Sequence, residues 1–442
     1  MILLGALAGL VAMRLLAKPW VPLRALSVSS ANLAGVALFG LLGVVLDAGD
    51  DVWRNVGIVL LAYGAVLLGE AAGSRLRINE PRWRRVGAVL ADVGLSRWAL
   101  TLFAVLYIAL PVMRTGSEGQ LANMIKDSLA FGSTGAYTET VIEQNYAQAT
   151  RPRSEAAAAG LVAQLPGFFL LAVGSIFIRY RRLAYLLLLG SAALDFVVSF
   201  GGRTTLMIGL GIPVILALTR LRGRWRVFLL GGGLIVGALL LLGALRHARS
   251  GAYTRVSVSN EIARTLTIDF AYGGRGLRFL HLDVGASLHK GFAYVGRMVI
   301  MPVPRSLWPT KPIVDPNWEM TEAFLGKSLA KAGSITLFTP LGEALFYFGR
   351  FGLILVPFAY GLLSTGLERL FRTSKVFSAL FAQVLIWSFL CWRLTFWNLF
   401  GQLVVGNLAV LLFLWVLGHL RLGDGRGLTE GEVASDRFED TA

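Results

Sequence analysis

Long apolar runs recur along this chain, separated by short polar stretches, and they set its architecture. Taking about 20 apolar residues as the length a helix needs to cross a bilayer, the pattern predicts about eleven spans. They fall near 1–17, 25–46, 52–71, 96–113, 156–178, 183–200, 204–219, 226–245, 340–366, 376–393 and 398–419. The first and seventh are short. Between the eighth and ninth spans, residues 246–339 form a long connection, and 114–155 form a second. The longer one is rich in Phe, Tyr, Trp and Leu. Apolar spacing at Leu266, Phe270, Leu277 and Leu280 predicts a short interfacial helix there, broken by Gly273, Gly274 and Gly276. The fold expected is all-α: a polytopic membrane protein of about eleven transmembrane helices with a large, partly helical outer loop. The 442 residues form a single integral membrane domain.

Composition agrees with the pattern. Hydrophobic residues make up 55% of the chain and charged residues 15%, and the mean hydropathy is +0.65. The opening residues lack a basic region and a small-residue cleavage site, so they read as the first span and not as a cleaved signal. One cysteine, Cys391, excludes a disulfide framework and a thiolate cluster.

The net charge of +16 is read as topology and contact with anionic membrane lipids; no nucleic acid is expected as a partner. Every odd-numbered connection is strongly basic. Arg14, Lys18 and Arg24 mark the first, and Arg75, Arg77, Arg82, Arg84 and Arg85 the third. Arg179, Arg181 and Arg182 follow, then Arg220, Arg222, Arg224 and Arg226, and finally Arg369, Arg372 and Lys375. Basic connections stay in the cytoplasm, which puts the N-terminus outside and the C-terminus inside. Residues 421–442 are then a cytoplasmic acidic tail, expected to be disordered.

Chemistry has few places to reside. The sequence has no phosphate-binding GxxxxGK[ST], no HExxH and no GxSxG, and its four histidines follow no metal spacing. Neither a cofactor nor a metal is expected. The loop run PVPRSLWPTKP, Pro302 to Pro312, is irregular by virtue of its four prolines and carries Arg305, Trp308 and Lys311. Such backbone persists beside a membrane only where protein or a water-filled cavity satisfies it. Outer-side arginines are numerous, among them Arg275 and Arg297. Arg203, Arg305 and Arg393 stand at span ends or in the irregular loop, where a cation requires a partner. Guanidinium forks match phosphate oxygens, so this set suits a lipid diphosphate. Glu343, opening the ninth span in TPLGEALFYFGRFG, has two readings: an ionisable group facing the bundle as a functional carboxylate, or an acid favoured by the helix dipole.

The second half of the chain resembles the Wzy-type oligosaccharide repeat-unit polymerases, also called O-antigen polymerases. The resemblance rests on SFGGRTTLMIGLG at 199–211, VPRSLWPTKP at 303–312, TPLGEALFYFGRFGLILVPFAYGLL at 339–363 and the arginine of WRLTFW at 392–397. It covers roughly residues 195–400. Leu394 and Thr395 follow Arg393 where the family often has Gly and Asp. The resemblance implies a glycosyltransferase of the bacterial plasma membrane that acts on its periplasmic face upon undecaprenyl-diphosphate-linked glycans. It would transfer the growing chain onto an incoming repeat unit, with a separate chain-length regulator as partner. Arg305, Lys311 and Arg203 would then compensate the leaving diphosphate and Trp308 would stack on sugar rings. Glu343 would accept or orient the attacking hydroxyl, with Arg305 as the second catalytic group. Arg275, Arg297 and Arg393 complete the expected substrate contacts. Two alternatives remain open at this point: a ligase-like transferase using a different acceptor, and a non-enzymatic transporter or flippase. The transporter reading expects charged residues through the spans, where Asp195 and Arg350 are the main exceptions to an apolar interior.

Overall fold

The structure is a computed structural model that describes residues 2–19, 26–47, 51–92, 94–114, 165–198, 203–219, 272–282, 284–303, 308, 316–326 and 338–419. Among these residues the fold is all-helical, without strands. The helices are α1 (Ile2–Ala17), α2 (Val28–Leu46), α3 (Val52–Arg75), α4 (Glu80–Asp92), α5 (Gly94–Arg114), α6 (Leu165–Arg179), α7 (Arg181–Val198) and α8 (Arg203–Leu218). They continue with α9 (Tyr272–Leu277), α10 (Leu288–Ile300), α11 (Pro316–Leu325), α12 (Pro340–Phe348), α13 (Gly352–Phe371), α14 (Ser378–Leu390) and α15 (Phe396–His419).

Among the described residues, four helices are long and apolar enough to cross a membrane: α2, α3, the joined α12–α13 rod Pro340–Phe371, and α15. Shorter apolar helices lie on five of the other expected runs. The run at 226–245 lies outside the described residues, as do the outer loop at 114–155 apart from its first residue and the tail at 421–442.

The backbones of α3 and α13 approach each other closely. A Cβ on Gly69 would fall 2.1 Å from the Phe358 carbonyl oxygen, and one on Gly361 would fall 2.3 Å from that of Val66. Without a hydrophobic driving force between helices in lipid, such small-residue contacts are what hold spans together. Gly349, at φ 63°, ends α12 in a conformation that L side chains rarely adopt, so the rod turns there before resuming as α13.

The interior is less apolar than the sequence suggests. Asn32, fully buried on α2, donates from Nδ2 to Glu70 Oε1 at 2.7 Å. The Tyr360 hydroxyl joins Asn32 Oδ1 and the Ser388 carbonyl, the latter at 2.8 Å, so four helices meet at one polar knot. Glu368 accepts from the Val28 N–H at 3.1 Å and pairs with Arg372 at 3.0 Å. Asp195 and Arg350 are therefore not the main polar exceptions within the spans. Glu70 and Asn32 are tolerated inside because each is met by a polar group on another helix.

The large connection is partly helical where it is described, in α9, α10 and α11. Its glycines do not break the first of these helices. Gly273, Gly274 and Gly276 lie inside α9, and a Cβ on Gly276 would fall 2.9 Å from the Gly342 nitrogen. Gly276 is there because α9 lies directly on the start of α12, while a Cβ on Gly274 would fall 2.5 Å from the Asp47 side chain. Of the apolar positions expected to form this helix, Leu266 and Phe270 lie outside the described residues.

Candidate functional site

The start of α12, the turn between α14 and α15, and helices α10 and α11 converge on Glu343. Proline at the first position of α12 gives up a backbone N–H that no helix start can bond internally, and Thr339 supplies the extended residue before it. Glu343 lies in that first turn and is 0% exposed. Its carboxylate reaches across to the first N–H groups of α15. The Trp397 N–H donates to Oε1 at 3.0 Å and the Phe396 N–H donates to Oε2. A third donor, the Tyr294 hydroxyl of α10, also bonds Oε1. The charge thus caps a second helix, where unpaired N–H groups and the helix dipole favour an anion. Glu343 faces the bundle interior and lies in the first turn of its own helix, and its oxygens are satisfied by the N-terminus of a second helix.

Tyr294 continues the chain of contacts outward. Its ring stacks on Tyr347 with centroids 4.2 Å apart and planes 13° from parallel. Tyr347 donates to Glu319 Oε2 at 2.6 Å. Glu319 in turn takes a two-pronged contact from Arg297, at 2.5 Å to Oε1 and 3.3 Å to Oε2. Side-chain exposure rises to 28% at Glu319, so the row Glu343–Tyr294–Tyr347–Glu319–Arg297 runs from the dry interior to an open edge. Burial, and after it the negative charge of Glu343, push the Tyr294 phenol upward, which keeps it a donor at neutral pH. Lys290 seals the flank with Nζ 3.5 Å from the Phe346 ring centroid and donating to the Val284 carbonyl at 2.8 Å. Burial pulls its ammonium below the usual lysine range, and Glu319 opposes that shift.

Of the residues expected from sequence, the structure brings Glu343, Arg297 and the Arg393 turn together. Arg393 is 5% exposed in a buried turn, three residues before the N–H that Glu343 binds. Arg275 lies on α9, against the start of α12. Arg203 is the first residue of α8, and that helix packs on α14 through Gly211 and Ile386. Trp308 is 39% exposed. Arg305 and Lys311 lie outside the described residues. Sequence reasoning did not single out Tyr294, Tyr347 or Glu319. Two signals were present: Tyr347 sits one helical turn after Glu343, and Arg297 follows Tyr294 at i, i+3, on the adjoining face of one helix.

Among the described residues no three His, Cys, Asp or Glu side chains gather as a metal site. No protein-family model, curated protein or solved structure matches this chain.

Proposed function

We propose that this chain is a membrane glycosyltransferase of the bacterial plasma membrane. In this reading it polymerises undecaprenyl-diphosphate-linked oligosaccharide repeat units into a surface polysaccharide, an O-antigen or exopolysaccharide. It spans the membrane about eleven times, with its N-terminus outside, its C-terminus in the cytoplasm and its site facing the periplasm.

One observation carries the reading. The TPLGE and WRLTFW segments, which resemble polymerase landmarks and lie far apart in sequence, are joined by the Glu343 carboxylate on the Phe396 and Trp397 N–H groups. Arg203, from a third landmark, opens the helix that packs on the one leading into WRLTFW.

Chemistry follows from charge. The bond between the anomeric carbon and the phosphate oxygen breaks, and the departing lipid diphosphate gathers negative charge that Arg305, Lys311 and Arg203 offset. The acceptor hydroxyl oxygen forms the new bond to that carbon, and its proton passes to an oxygen of the departing diphosphate. Glu343, with both oxygens already accepting, suits the orienting role better than that of a free base. It holds the turn bearing Arg393, while Arg297 and Arg275 line the approach and Trp308 offers a ring face to sugars. A separate chain-length regulator is the protein partner this reading implies.

The test is a deletion strain complemented with variants. Loss of the protein should leave single-repeat glycans, and Arg203→Ala and Arg305→Ala should each fail to restore long chains at normal expression. Unligated long polymer in the deletion strain would point to a ligase. Long surface polymer from both variants would remove these arginines from the site.

A further inference from the structure

Helix α10 has three unlike faces. Gly291, Tyr294 and Met298 are buried against the protein, and a Cβ on Gly291 would fall 2.2 Å from the Phe348 ring. Lys290 and Arg297, seven residues apart, share a second face and are held by protein groups at the Val284 carbonyl and Glu319. The third face is a stripe of Leu288, Phe292, Val295 and Val299, stepping by four, three and four residues, with exposures from 41% to 68%.

We infer that α10 is an interfacial helix lying along the membrane surface, with this stripe sunk among the lipid acyl chains. Three observations favour lipid over a protein partner. The cations lie on the face opposite the stripe, the arrangement of helices that rest at a bilayer boundary. At 13 residues the helix is about 20 Å long, too short to cross a hydrocarbon core of about 30 Å. Its joint with the protein, Gly291 on Phe348, leads into an exposed apolar face of a membrane-length helix, where Phe351 is 76% exposed and Ile354 and Leu355 follow it. The stripe therefore continues a lipid-facing surface.

The consequence is a fixed depth for the site. Tyr294 and Arg297 belong to α10, so the row from Glu343 to Glu319 sits at headgroup level, where the polar end of a membrane lipid is presented. This inference does not depend on the proposed reaction or on which leaflet is involved.

Site-directed spin labelling of the full chain in phosphatidylethanolamine–phosphatidylglycerol vesicles tests it. Cys391 is 1% exposed, which keeps background labelling low. Nitroxides at Phe292→Cys and Val299→Cys should be relaxed several-fold more by dissolved oxygen than by a water-soluble nickel chelate. A label at Ala293→Cys, exposed on another face, should show the reverse preference. Leu288→Cys and Val295→Cys report the same stripe if either first variant elutes as aggregate. Chelate access at the stripe equal to that at Ala293 would overturn the inference. So would shielding of the stripe from both reagents, the result expected of a second copy or a protein partner.

Discussion

Replacing Glu343 by alanine removes an acceptor that serves three donors at once: the Tyr294 hydroxyl and the N–H groups of Phe396 and Trp397. All lie in a region without exposure at Glu343 itself. A buried donor left unpaired costs about 1–3 kcal/mol. Water entering the vacated space offsets part of the sum, so Glu343→Ala should cost about 3–5 kcal/mol, a large share of ordinary protein stability. Glu343→Gln keeps one acceptor oxygen and turns an amide NH2 toward the other set of donors, for a loss of about 1–3 kcal/mol. Thermal unfolding of detergent-solubilised protein, followed by tryptophan fluorescence, should fall by at least about 5 °C for the alanine variant. Unfolding of membrane proteins is often irreversible, so wild type and variants must be compared at one scan rate. A double-mutant cycle sharpens the test. Tyr294→Phe should destabilise the wild type by about 1 kcal/mol and the Glu343→Ala protein hardly at all. Equal effects in both backgrounds, or a Glu343→Ala protein that melts with the wild type, would refute the capping account.

Three further outcomes follow from the same geometry. Asn32→Leu leaves the Tyr360 hydroxyl and Glu70 without a shared partner inside the bundle, and should cost about 2–4 kcal/mol by the same melting assay. Gly361→Leu places a side chain where a Cβ already meets the Val66 carbonyl at 2.3 Å, so monodisperse protein recovered by size exclusion should drop severalfold, whereas Gly57→Leu, with open space around it, should be recovered normally. Arg297→Ala should lower stability by only about 1 kcal/mol, because the pair is partly open to water, and Glu319→Ala by about 2–4 kcal/mol, because it also leaves the buried Tyr347 hydroxyl without its acceptor; a larger loss of polymer than of folded protein would separate a role in the site from a role in the fold.

The placement of most described apolar helices was legible in the sequence because a long apolar run marks its helix locally. An apolar run of sufficient length leaves the backbone no other partner in lipid. Other features depend on distant segments and left no local mark. Gly274 and Gly276 look like breakers until one is seen against Asp47 and the other against Gly342. Helix α4 reads as a basic loop, yet Glu80 and Arg84 pair at 2.9 Å along one of its faces. Glu70 passes for an acid at a span end until Asn32, from another helix, meets it. In the site, Glu343 was legible as an ionisable group at a span start. Its partners were not, since Tyr294, Phe396 and Trp397 come from elements roughly fifty residues away. Tyr347 and Glu319 became visible only as links in a row that folding assembles.

The most direct test of the central claim is made with purified full-length protein and a lipid-diphosphate-linked repeat unit in vesicles, followed by gel separation of the glycans. Polymerase activity yields a ladder of products rising by whole repeat units as the single-unit substrate is consumed. Substrate that stays one unit long, or only changes leaflet, would contradict it.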